Sequence, residues 1–210
     1  MTRKILFATT NVGKIERMKR LNRDLGVEFV TLKDLPYEIV EPDENGADEV
    51  ENAEIKAKYY WEKLNLKMPV IAEDQGTYFI GVEEVDNPYK DVKKPVVEKY
   101  GNANPENLVQ YYSDLAKKYG GIVPEVWDYG FAIFDGENLT SDKAVADNVR
   151  IVETPMYPAA PGFPFSCICQ HKIAEEWKYY SQITTTELED NFEPPIKKVL
   201  QNLLVRYFDL

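Results

Sequence analysis

Histidine is almost missing from this chain. His171 is the only one in 210 residues, and cysteine occurs twice, at Cys167 and Cys169. A serine-hydrolase triad would have to use His171 itself, and no G-x-S-x-G elbow accompanies it. Zinc sites take four ligands, or three and a water. Cys167, Cys169 and His171 could supply three, but the segment FSCIC reads more simply as a buried strand in a reduced cytosol. On a strand those two cysteines would point to opposite faces, so a disulfide between them would be strained. Long apolar runs are lacking too, and none approaches the ~20 residues that span a bilayer. The opening MTRKILFATTNVGKIERMKR has neither the apolar core nor the small-residue cleavage site of a signal peptide. The sequence therefore reads as a cytoplasmic soluble protein with no membrane partner. Basic residues are in deficit, 25 against 36 acids, for a net charge of −11. DNA and RNA are poor partners for such a chain, because phosphate neutralisation supplies most sequence-independent affinity. What remains for catalysis is carboxylates, lysines and a hard metal ion.

Composition is otherwise globular, with 44% hydrophobic and 29% charged residues. The length suits one domain over 1–210, built as two closely packed lobes. Charge is uneven along it. Up to residue 23, seven lysines and arginines face one acid, Glu16; from 34 to 54, nine acids including Glu38 meet no base. A basic first segment beside an acidic second suits a polyanion held with a divalent cation, although two solvated helix faces of opposite sign would look the same.

Residues 3–9 form a short buried strand, followed by the polar run TTNVGK and a helix ending near Gly26. Strands follow at 27–32 and 69–72, with a helix over 48–65 between them and a further strand, TYFIGV, after Gly76. A short helix is expected around 90–99, a longer amphipathic one over 105–119, strands at 126–134 and 143–152 joined through Asp135 to Asn138, a proline-dense loop over 154–164, and a closing helix over 194–208. Strands alternate with helices first and form hairpins later, which is an α/β chain with a mixed sheet.

Two segments carry candidate chemistry. A polar turn between a buried strand and a helix gathers free N–H groups at the positive end of the helix dipole, a natural phosphate seat. Thr9, Thr10 and Asn11 add donors, Gly13 allows close approach and Lys14 adds a charge. The same threonines and Asn11 could equally be capping the helix, and the Walker pattern is absent. The second segment is Glu73-Asp74, placed after PVIA at the carboxyl edge of the sheet, where α/β ligands bind. Magnesium takes one or two carboxylates plus phosphate oxygens. Asp74 is a candidate ligand, with Glu41 or Glu44 as partner; a polar turn with Gly76 is the plainer alternative.

Four motifs occur in order: Thr9-Thr10-Asn11-Val12-Gly13-Lys14, Glu41-Pro42-Asp43-Glu44, Glu51-Asn52-Ala53-Glu54-Ile55-Lys56-Ala57, and Pro69 to Gly76. Together they resemble the inosine triphosphate pyrophosphatase family over roughly the first 80 residues. The resemblance implies a long mixed sheet flanked by helices, two lobes with a cleft between them, and a homodimer. It also implies Mg2+-dependent hydrolysis of a nucleoside triphosphate to monophosphate and pyrophosphate. Thr10, Asn11, Lys14 and Lys56 would then hold phosphates, with Lys14 and Lys56 in the catalytic set. Asp74 would bind metal or position water beside Glu73. Glu41 or Glu44 would complete the metal site: local matching favours the first, counting back from the helix favours the second.

The departures concern the base. The family's G-F-G-x-D-P-x-F loop reads here Gly162-Phe163-Pro164-Phe165-Ser166-Cys167-Ile168-Cys169. Phe163 and Phe165 keep an aromatic platform, and Ser166 replaces the aspartate. The late S-H-R is missing, with Pro194-Pro195-Ile196 in its place. Arg17 stands where the family's first helix has an acid. The expected substrate is therefore a nucleoside triphosphate, non-standard purines among the candidates, read with altered base recognition. The rival is a non-catalytic nucleotide-binding or regulatory protein on the same fold.

Overall fold

Short apolar β1 (Arg3–Phe7) buries Ile5, Leu6 and Phe7 completely and sets the order of the sheet. In the computed structural model, which describes residues 3–36, 40–65, 67–89 and 91–210, β1 pairs in parallel with β2 (Val27–Thr31) and β3 (Val70–Phe79). Seven strands form one mixed sheet in the order β2-β1-β3-β4-β5-β6-β7. The remaining members are β4 (Ile122–Phe134), β5 (Leu139–Val152), β6 (Cys169–Ile173) and β7 (Glu176–Tyr179), with β5–β6 and β6–β7 antiparallel. Among the described residues six helices accompany them: α1 (Val12–Leu21), α2 (Glu49–Lys63), α3 (Lys94–Tyr100), α4 (Pro105–Lys118), α5 (Thr185–Asn191) and α6 (Pro194–Phe208). Glu38, in the acidic run, and Lys90, in the first short helix expected, lie outside the described residues.

The chain forms two compact units. The first comprises Met1–Gln75, Asp128–Ala144 and Ile196–Leu210; the second comprises Gly76–Trp127 and Val145–Pro195. In the first unit the two-residue period of the strands sorts the core. Leu6, Ala8, Val70, Ala72 and Ala132 join Ala53, Ala57 and Tyr60 of α2 in one buried cluster. Alanines on both sides let the helix approach closely. Gly130 of β4 takes this furthest, since a Cβ there would stand 2.1 Å from the carbonyl oxygen of Glu49.

Helix starts follow local chemistry. Asn11 caps α1 and Asp48 caps α2, the latter accepting from the amides of Val50 and Glu51 at 2.9 Å. Asn104 caps α4, with Pro105 in its first turn. Thr184 and Glu187 form a capping box on α5.

Several expected elements differ. Residues 70–72 of PVIA and 77–79 of TYFIGV belong to one continuous strand, β3, running through Glu73, Asp74 and Gly76, and residues 80–82 lie beyond its end. The polar run does not break the strand because its carboxylates are paired with cations from α1 and α2. FSCIC is not a strand: Pro164–Cys167 is a short 3-10 turn, and β6 starts only at Cys169. Pro164 has no amide to donate to a ladder, which delays the strand. β7 and α5 are short and polar, and hydrophobic periodicity carries no signal for either.

Candidate functional site

The site grows from the register of β1 on β3. Leu6 and Phe7 lie opposite Val70 and Ile71, and the amide of Ala8 donates to the carbonyl of Ile71 at 2.8 Å. β1 ends there while β3 continues, so Glu73 and Asp74 lie just past the carboxyl end of β1 although they are inside their own strand. Neighbours on a strand face opposite ways, and the two carboxylates do so. Glu73 meets α1 and Asp74 meets α2.

On the α1 side, Oε1 of Glu73 takes Nη2 of Arg17 at 2.6 Å and Nζ of Lys14 at 3.3 Å. Burial opposes the charge on Glu73, but Arg17 and then Lys14 outweigh it and hold the carboxyl below its ordinary value. The Arg17 guanidinium also lies 5.0 Å above the ring centre of Tyr129. On the α2 side, Nζ of Lys56 lies 2.6 Å from Oδ1 of Asp74 and 2.9 Å from Oε2 of Glu44. Nδ2 of Asn52 donates to Oδ2 of Asp74 at 3.0 Å. Burial raises the Asp74 pKa; Lys56, Lys14 and the Asn52 bond together outweigh it and leave it lowered. Burial likewise disfavours the Lys56 ammonium, yet Asp74 and Glu44 keep its pKa above the usual lysine value.

The turn before α1 both caps and exposes. Oδ1 of Asn11 accepts from the Lys14 amide, and Oγ1 of Thr9 accepts from the Asn11 amide, each at 3.2 Å. Capping thus uses part of both side chains. Thr10 stays exposed at the lip. The amides of Val12 and Gly13 precede any helical carbonyl that could take them, and they lie at the positive end of α1.

The structure gathers Lys14, Lys56, Glu73, Asp74 and Glu44. Glu41 is not on Lys56. Its charge acts instead on Tyr60, whose phenol is pushed up to about 12 first by burial and then by Glu41. Sequence alone assigns no part in the site to Arg17 or Asn52. Spacing offers a signal for both: Arg17 lies three residues after Lys14, and Asn52 four before Lys56, on the same helix faces. Asn52 is held at its other end by the Gly46 amide, which donates to Oδ1 at 2.9 Å.

Among the described residues no group of three or more His, Cys, Asp or Glu side chains is placed to hold a metal ion. Magnesium asks less of a protein than that. Asp74 and Glu44 present oxygens that already converge on one cation, Lys56, so the donor set fits a hard ion completed by phosphate and water.

The residues expected to meet a base lie in the second unit. Phe163 and Phe165 are half-buried, with ring centres 6.4 Å from Tyr180 and 4.6 Å from Tyr112 respectively. Ser166 is buried, and its Oγ accepts from the Ala160 amide at 2.6 Å, tying the loop to itself.

The sequence pattern of the Ham1 family matches residues 5–113. A dITP/XTP pyrophosphatase of Haemophilus influenzae is 43% identical over 76 residues, which is 36% of this chain and 37% of that protein. The Aquifex aeolicus dITP/XTP pyrophosphatase is 36% identical over 89 residues, covering 42% and 39%. The matched stretches therefore span well under half of these two relatives. A HAM1 protein from Coxiella burnetii superposes with a TM-score of 0.69 at 17% identity, over 97% of this chain and 99% of that one. The Staphylococcus aureus Ham1 protein gives 0.65 at 18%, over 99% and 98%. At such identities the two structures speak for the fold.

Proposed function

Since this chain belongs to the Ham1 family, we propose that it is a nucleoside triphosphate pyrophosphatase, a hydrolase that cleaves between the α- and β-phosphates. One observation carries the reading. Three cations, Lys14, Arg17 and Lys56, and three acids, Glu44, Glu73 and Asp74, form two adjoining ion-pair groups beside the amide end of α1.

Lys14, Lys56, Thr10 and the first amides of α1 are positioned to receive phosphate oxygens. Asp74 is ionised at neutral pH, because its cationic neighbours outweigh its burial. It can accept a hydrogen bond from a water and orient it toward the α-phosphorus. As the water oxygen bonds to phosphorus its proton passes to Asp74, the bond to the β-phosphate oxygen breaks, and pyrophosphate leaves with the electron pair. Lys14 and Lys56 offset the charge gathering on that leaving group. Magnesium, held by Asp74 and Glu44, would supply further neutralisation of the phosphates.

The experiment is pyrophosphate release from a panel of standard and modified triphosphates with magnesium, beginning with dITP and XTP, the compounds named for the relatives. Asp74→Asn should lower turnover by about 10²-fold or more. No release from any triphosphate, with nucleotide still raising the melting temperature, would leave a binding protein instead. The panel also tests altered base recognition. The Ser166 oxygen accepts from the Ala160 amide, and the residue has no carboxylate to offer a base edge. A homodimer, the family's assembly, would sediment at twice 24.2 kDa.

A further inference from the structure

Arg17 is the one cation of the network that neither capping nor phosphate binding accounts for. Its side chain is 9% exposed, half as much as that of Lys14 at 18%, and its bond to Glu73 is shorter, 2.6 against 3.3 Å. Both cations use the same oxygen, Oε1. Glu73 is 4% exposed, so it cannot turn to water when a partner leaves. A carboxylate buried this deeply must keep at least one cation. Lys14 is the partner free to move: a flexible ammonium stem with a long, loose contact, at the mouth of the turn where α1 begins. Arg17 is fixed, pinned over Tyr129 at 5.0 Å, and its guanidinium stays charged at every accessible pH.

Resting on the reading of the site as a triphosphate seat, we infer that Arg17 is a positioning residue that releases Lys14 to the substrate. Without ligand, Glu73 holds both cations. When a triphosphate enters, Lys14 swings to its oxygens and Arg17 alone neutralises Glu73. With no charge at position 17, Lys14 becomes the sole counter-ion of a buried carboxylate, and the phosphates must compete for it.

Inorganic tripolyphosphate is the probe, since it carries the tail without a base, and calorimetric titration of the full chain gives its affinity. Arg17→Met should weaken binding about tenfold or more, because a buried carboxylate left short of a cation captures whichever one remains; Arg17→Lys, which keeps a charge beside Glu73, should recover most of that loss. Removing the acid as well, in Arg17→Met with Glu73→Gln, should restore affinity to within about threefold, because Lys14 then has nothing to hold it. That double variant buries no charge at either position, so it keeps the test open if Arg17→Met alone fails to fold. In turnover, Arg17→Met should raise KM far more than it lowers kcat. The inference is overturned if Arg17→Met binds like the native chain, if Arg17→Lys is as weak as Arg17→Met, or if the double variant binds as weakly as Lys14→Met. If the native chain binds no tripolyphosphate, the triphosphate seat falls and this inference with it. If the native chain binds it and only the Arg17 series behaves otherwise, the seat stands and Arg17 is structural.

Discussion

Asn52 shows how much one side chain can organise. Its amide joins the acidic loop to β3, accepting from Gly46 and donating to Asp74. Asn52→Ala removes one buried hydrogen bond from each partner, so a stability loss of about 1–3 kcal/mol is expected. Activity should fall further than stability explains, because Asp74 loses the bond that fixes its second oxygen; urea titration alongside turnover separates the two. Gly130 gives a backbone counterpart. A methyl there would sit 2.1 Å from the Glu49 carbonyl oxygen, a rigid group, so Gly130→Ala must push α2 off the sheet and displace Asn52 and Lys56 with it. The first-half motifs make Lys14, Lys56 and Asp74 legible in the sequence alone. Arg17 and Asn52 are less so, because their importance lies in pairing across elements, which spacing along one helix only hints at. The choice between Glu41 and Glu44 stays open in the sequence for a similar reason. It depends on how the loop turns before Gly46, where the chain sets Glu44 against Lys56.

At the scale of elements, the strands of the second unit hold a buried polar group that composition alone does not reveal. Glu125 of β4 accepts from Thr77 of β3 at 2.7 Å and lies near the Cys169 thiol of β6. Burial raises its pKa to about 7, with hydrogen bonds from Thr77, Trp127 and Cys169 only partly offsetting the rise. His171, two residues along β6 from Cys169, is fully buried among Trp127, Tyr180 and Phe192, and burial pushes its pKa down to about 3. The two groups act on stability with opposite sign. The folded chain keeps the Glu125 proton up to about 7, whereas the unfolded chain releases it near 4.5; stability therefore falls as pH rises through that window. The folded chain refuses a proton at His171 until about 3, whereas the unfolded chain accepts one near 6.5; stability therefore falls as pH drops through that window. Between 4.5 and 6.5 the slopes oppose, each about 1.4 kcal/mol per pH unit. Glu125→Gln should unmask the histidine, so that its stability rises relative to the native chain as pH increases from 4.5 to 7. His171→Leu should do the reverse between 6.5 and 3. Urea unfolding of the three proteins at several pH values checks this, and parallel curves would show that neither group titrates as described. As sequence, FSCIC reads as a plain buried strand; nothing along the chain signals that Glu125, forty-odd residues earlier, lies beside Cys169.

At the scale of the whole molecule, neither unit is a continuous stretch of chain. The backbone passes from one to the other within β3, β4 and β5, and once more as α6 begins. Every residue of the proposed phosphate seat, from Thr9 to Asp74, lies in the first segment of the first unit, which reads as though residues 1–75 could carry it alone. The packing says otherwise. Apolar periodicity in α6 points Ile196, Val199, Leu200, Leu203, Leu204 and Phe208 inward; Ile196, Leu200, Leu203 and Leu204 are each 1% exposed or less, whereas Val199 and Phe208 are only half-buried. Between them Gln201 reaches back to donate to the carbonyl of Leu21, at the last turn of the helix that carries Lys14 and Arg17. Burying a large aliphatic side chain contributes about 1.5–3 kcal/mol, so four contribute about 6–12 kcal/mol. A whole domain is stable by only about 5–15 kcal/mol. A chain ending at Pro195 should therefore lose the cooperative unfolding of its first unit and its binding of tripolyphosphate together, although every residue proposed to touch phosphate is still present. Circular dichroism melting and titration of the truncated chain test this. A cooperative melt within a few degrees of the full chain would mean that α6 is an appendage, and that the seat is held by the N-terminal segment and the central strands alone.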